Sequence, residues 1–109
     1  MNDELVATSL DDCLDALGHV QRRRILLELL NDTSREDQTV ALDNLYSNAS
    51  DRSEQLSLRH AHLPKLEKMG FIDTDQQPQV VTTGPQFDEI RPLLELLDDN
   101  RGKIPDGWV

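Results

Sequence analysis

The chain reads as a mainly α-helical domain carrying one small β-hairpin, with elements in the order α-α-β-α-α-β-β-α. Three observations predict this. Apolar residues recur at helical spacing in several segments divided by polar turns. Phe71-Ile72 and the β-branched run Val80-Val81-Thr82-Thr83 flank a set of turn residues, Asp75-Gln76-Gln77-Pro78. A chain of 109 residues, 37% of them hydrophobic, suits one domain with one modest core.

Residues 1–8 are polar and read as a flexible terminus. Ser9 with Asp12 forms an S-x-x-D capping pattern, and Leu10, Leu14 and Leu17 then make one apolar stripe. Gly18 is expected to end that helix in the left-handed conformation open to glycine. A second helix over about 20–31 buries Ile25, Leu26, Leu29 and Leu30. Arg22, Arg23 and Arg24 crowd its first turn, where positive charge opposes the helix dipole. Either a phosphate or acids on a neighbouring helix would compensate them.

Residues 31–38 are a polar loop, Thr39-Val40-Ala41 a short strand, and Leu42 and Leu45 mark a third helix. After a second polar turn, 47–55, a fourth helix runs from about Ser53 to Met69 and closes at Gly70. The hairpin follows. Gly84-Pro85 then breaks the strand and opens the last helix, because proline suits the first helical position. Phe87, Ile90, Leu94 and Leu97 give that helix a coiled-coil-like stripe, which Pro92 is expected to bend. The domain therefore spans 9–97, and 98–109 reads as a tail.

The charge is unusual. There are 21 acids against 11 bases, Asp outnumbers Glu by 14 to 7, and only three residues are lysine. That balance is expected of a cytoplasmic protein living in molar salt. An ordinary acidic protein, or one with a basic partner, is the alternative. Folding should then depend on salt. Screening acts over roughly 3 Å in molar salt and about 10 Å at 0.1 M, so dilution raises the self-repulsion of a −10 chain. Circular dichroism is expected to weaken from molar KCl to dilute buffer, and an unchanged spectrum would refute this. One cysteine, Cys13, excludes an intrachain disulfide and reads as a small buried hydrophobe. No apolar run approaches the roughly 20 residues of a membrane span.

The stretches "LDALGHVQRRRILLELL" (14–30), "TVALDNL" (39–45) and "HLPKLEKMGFI" (62–72), in this element order, resemble the winged helix-turn-helix family of the arsenical-repressor (ArsR) type. The last stretch is similar to that family's H-L-x-x-L-x-x-x-G-Φ-Φ signature (Φ apolar), which ends the recognition helix and leads into the wing. More narrowly, "LRHAHLPKLEKMGFID" and "GPQFDEIRPLLELL" resemble an uncharacterised winged-helix domain common in halophilic archaea. The resemblance implies a DNA-binding transcriptional regulator that reads double-stranded DNA with helix 53–69. The metal-sensing members carry cysteine pairs before the recognition helix. Here "LDNLYSNA" has none, so metal-triggered release is not expected.

Residue by residue, Ser57, His60, Pro64 and Lys68 lie opposite Leu66 on a helical wheel, flanked by Arg59 and Lys65. Together with Arg22 and Arg23 they form the expected DNA-contacting set. Within 52–70 four bases face two acids, a basic stripe on an acidic body. Pro64 leaves two outcomes open, a kinked helix or a helix that ends near His62 and restarts. Leu58, His62, Leu66 and Met69 make the inward stripe, with His62 a satisfied core histidine. Leu10, Leu14, Phe87, Ile90, Leu94 and Leu97 are the expected homodimer interface. No catalytic arrangement, phosphate loop, cofactor motif or metal cluster is present, so neither catalysis nor a cofactor is expected. The alternative function is a winged-helix module for protein–protein interaction, favoured by a hairpin, "IDTDQQPQ", without a basic residue at its tip.

Overall fold

Ser9 caps the first helix, α1 (Leu10–Ala16), through the expected capping box. Its hydroxyl accepts from the Asp12 N–H at 3.1 Å, and the Asp12 carboxylate accepts from the Ser9 N–H at 3.4 Å. The computed structural model describes residues 8–31, 39–49, 51–76 and 79–109. The expectations for 1–7, for 32–38 and for Gln77-Pro78 lie outside these residues. Thr8 belongs to the fold rather than to a loose terminus, since its hydroxyl donates to Gln86 Oε1 at 3.2 Å.

The core face of α1 is Cys13, Ala16 and Leu17, while Leu10 and Leu14 stand exposed. Gly18 follows without a positive φ, so its expected left-handed role is not used. That role falls to Gly70, at φ +84°. The second helix, α2 (Val20–Asn31), is the centre of the core. Ile25, Leu26, Leu27, Leu29 and Leu30 are all buried, wrapping more of its circumference than one stripe.

Thr39–Ala41 forms β1 and leads directly into α3 (Leu42–Asn48), which buries Leu42 and Leu45. The hairpin is β2 (Ile72–Gln76) with β3 (Gln79–Thr83), so Asp75 and Gln76 are strand rather than turn residues. Strand β3 lies between the other two in an antiparallel sheet of order β1-β3-β2, with Val40 opposite Val81 and Ile72 opposite Thr83. The chain is thus mainly helical with a small three-stranded sheet, a winged-helix-like arrangement.

The last helix, α6 (Phe87–Asp99), is preceded by Gln86 at the cap, so Pro85 sits in the turn before it rather than at its first position. The helix continues unbroken through Pro92, whose ring is exposed. Phe87, Ile90 and Leu94 are 0–1% exposed and pack toward α2. This corrects their expected place in a dimer interface. A stripe spaced 3 and 4 is the same signal whether it meets a second copy or the chain's own core, and here the core takes it. Burying three such side chains contributes about 1.5–3 kcal/mol each. Leu97 is half-buried against the same core. The tail also folds back. After a 3₁₀ turn at Arg101–Lys103, the Trp108 carbonyl accepts from Arg23 Nε and Val109 packs on the core.

Candidate nucleic-acid interface

The basic segment is one helical run with a wide turn in its middle. Asp51 caps α4 (Arg52–Ser57), its carboxylate accepting from the Glu54 N–H at 2.9 Å. A π-turn, Leu58–His62, then passes into α5 (Leu63–Lys68). Leu63 donates its N–H to the Leu58 carbonyl, five residues back. In a regular α-helix Pro64 would forfeit its bond to the His60 carbonyl and press its ring against that oxygen. The π-turn opens the spiral by one residue at that place, and Pro64 falls in the first turn of α5, where an N–H is dispensable. The helix therefore neither stops nor simply kinks.

This extra residue also rotates the inward face. Leu58, His62, Leu63 and Leu66 are all buried, and Met69 is half-buried. Leu63, off-centre on a regular wheel, is brought in. Gly70 closes the run with both bonds of a Schellman motif, Gly70 N–H to Glu67 O at 3.0 Å and Phe71 N–H to Leu66 O at 3.1 Å.

The outward face carries Ser57, Arg59, His60, Pro64 and Lys68, all exposed. Arg59 is held with its guanidinium 5.2 Å from the centre of the Tyr46 ring, a cation–π contact the sequence did not reveal. Lys65 is turned aside, with Nζ 3.0 Å from the Asp15 carboxylate on α1. Between this helix, α3 and the hairpin lies a polar cavity of about 350 Å³, walled by Tyr46, Arg59, Pro64, Glu67 and Thr74. The described hairpin strands show exposed Asp73 and Asp75 and carry no Lys or Arg.

Arg22 and Arg23 do not join this face as the sequence suggested. Arg22 donates to the carbonyls of Ala16 (3.0 Å) and Asp15 (3.1 Å), and Arg23 to that of Leu17 at 2.6 Å. The carbonyls at the C-terminal end of α1 thus compensate the charges that open α2. Neither a phosphate nor a carboxylate is needed. Arg24 remains exposed.

His62 ties the segment to this junction. It is 6% exposed, its Nδ1 lies 3.1 Å from Arg22 Nη1, and its ring centre lies 4.2 Å from that of His19. Arg22 can only donate, so Nδ1 accepts and the ring proton sits on Nε2. Burial, with the His19 and Arg22 charges adding to it, pushes the His62 pKa down to about 4. His60 points the other way, as their two-residue spacing requires. Burial raises the Cys13 thiol above its ordinary pKa. Among the described residues no group of three or more His, Cys, Asp or Glu is placed to hold a metal ion. No described helix is long and apolar enough to cross a membrane.

A family model described as "Domain of unknown function (DUF7344)" matches residues 14–82, from α1 through most of β3. No curated protein and no solved structure matches the chain.

Proposed function

The chain belongs to the DUF7344 family, and we propose that it is a DNA-binding transcriptional regulator whose reading element is the helical run 52–68. The observation that carries this reading is the division of that run into two faces. Leu58, His62, Leu63 and Leu66 anchor it, while Ser57, Arg59, His60, Pro64 and Lys68 are exposed on its other side, Arg59 resting on the Tyr46 ring. A helix so presented is the form that enters a major groove. The ArsR-like signature in 62–72 supports the same reading. In molar salt the counterion-release term shrinks, so a reader of this kind relies on base-edge contacts from few residues, and few is what this face offers. A homodimer, suited to a two-fold operator, would use exposed Leu10 and Leu14 rather than Phe87, Ile90 and Leu94.

Footprinting on the DNA upstream of its own gene, in molar KCl, tests this directly. Lys68→Glu should weaken all DNA sequences alike and reduce the salt slope by about 1, as a lost phosphate contact does. His60→Ala or Arg59→Ala should instead relax discrimination between sites by about 1–3 kcal/mol. Absence of any protected site would overturn the reading. The second reading, a protein-interaction module, then takes its place, favoured by the acidic face of β2 at Asp73 and Asp75.

A further inference from the structure

We infer that Asp106-Gly107 is a site of spontaneous isoaspartate formation, and that this modification releases the tail from α2. Of the 14 Asp residues in the chain, Asp106 alone is followed by glycine. The reaction begins when the amide nitrogen of the following residue attacks the aspartate Cγ, and a side chain on that residue obstructs the approach. Here nothing obstructs it. Both residues are exposed, and even a Cβ at Gly107 would meet no heavy atom within 4 Å. Among the described residues the Asp106 carboxyl group makes no hydrogen bond or ion pair, and the Gly107 N–H makes no hydrogen bond. Asp12 and Asp51, by contrast, are held in helix caps, and Asp88 and Asp98 by arginines.

Gly107 has φ +89°, and the Trp108 N–H reaches back to the Pro105 carbonyl at 3.3 Å, the pattern of a type II turn. Attack requires the Asp106–Gly107 peptide to turn over. Glycine accepts the φ on either side of that rotation, and the hydrogen bond closing the turn is a long one. The Gly107 nitrogen then bonds to Asp106 Cγ. One carboxyl oxygen leaves as water, taking the amide proton and a proton from solvent, and a cyclic imide remains. Water opens the ring and returns a proton. Opening at Cγ restores aspartate. Opening at the α-carbonyl leaves the chain running through Cβ and Cγ, with a free α-carboxylate. Nothing is oxidised or reduced. The isoaspartyl form carries one extra carbon in its main chain, just before the two anchors of the tail. These are the Trp108 carbonyl, which accepts from Arg23 Nε, and Val109, which packs on the core. With the spacing changed they lose register together. Arg23 keeps its bond to the Leu17 carbonyl, so the loss falls on the tail and not on the junction of α1 and α2. None of this rests on DNA binding.

Ageing the folded protein in neutral, warm, molar KCl tests the inference, with a free peptide of sequence 104–109 as the clock. Trypsin cleaves after Lys103 and releases the same peptide from the protein. In the aged parent it should split into two chromatographic forms of equal mass, the new one a substrate for a protein-isoaspartate methyltransferase. Asp106→Glu, which would have to close a larger ring, should give one form and no methylation. Trp108 is the only tryptophan, so fluorescence anisotropy reads the docking of the tail. The isoaspartyl protein should show lower anisotropy and a lower melting temperature than the fresh parent, while aged Asp106→Glu should match its own fresh form in both. A parent that stays in one unmethylated form while the free peptide isomerises would overturn the site. Isoaspartate at 106 with anisotropy and melting temperature unchanged would overturn the release.

Discussion

Gly84→Ala is expected to lower stability by about 3 kcal/mol, whereas Gly102→Ala should change it by less than about 0.5 kcal/mol. The contrast rests on what a Cβ would meet. At Gly102 no heavy atom lies within 4 Å. At Gly84 the nearest atoms are the Gly70 carbonyl oxygen, then Ile72 N at 2.8 Å and Gly70 C at 3.0 Å, all of them backbone. These cannot swing away as a side chain would. They are pinned by Gly84 N–H to Phe71 O at 3.0 Å and Gln86 N–H to Gly70 O at 2.7 Å. Relief of the clash parts the base of the hairpin, loosens one or both bonds, and disturbs Phe71 and Ile72, both fully buried. Chemical denaturation of the two variants beside the parent measures the difference. Equal stability of all three would show that this crossing tolerates a side chain.

The same glycine shows where sequence reasoning succeeds and where it stops. Gly84 was legible as a strand breaker, but its tertiary reason, the approach of the Gly70 backbone, was not. Signals that act within a few residues were readable: the Ser9–Asp12 capping box, the stop at Gly70, the short strand 39–41, the returning strand of the hairpin. Signals that need a partner were ambiguous. Phe87, Ile90 and Leu94 have the spacing of a dimer seam and of a core face alike. The charges of Arg22 and Arg23 are plain in the sequence, but the α1 carbonyls that receive them depend on how two helices meet. The wheel position of Lys65 puts it with the DNA-facing residues and says nothing of Asp15 on another helix. Pro64 was visible as a problem. Its solution, one residue inserted as a π-turn, followed from the need to bury Leu58, His62, Leu63 and Leu66 together.

Stability is expected to fall by about 3 kcal/mol between pH 7 and pH 4 through His62 alone. The unfolded chain binds a proton at this imidazole near its ordinary 6.5, while the folded chain resists until about pH 4. Within that window the unfolded state holds more protons, so stability drops as pH falls. It is fully present above 6.5, and by pH 5 about 2 kcal/mol should be gone. The cause is structural. Protonating Nδ1 would aim a new N–H at Arg22 Nη1, 3.1 Å away and itself only a donor, with the His19 ring beside it and little water to screen the charge. His62→Gln keeps an acceptor for Arg22 but has nothing to titrate. The difference in unfolding free energy between parent and variant, measured at fixed high salt across pH 4.5–7.5, separates this group from the many carboxylates. The parent should lose ground to the variant steadily below pH 6.5. Parallel curves would mean that His62 takes its proton as readily in the fold as outside it, and the junction of α1, α2 and the helical run would then be open to water.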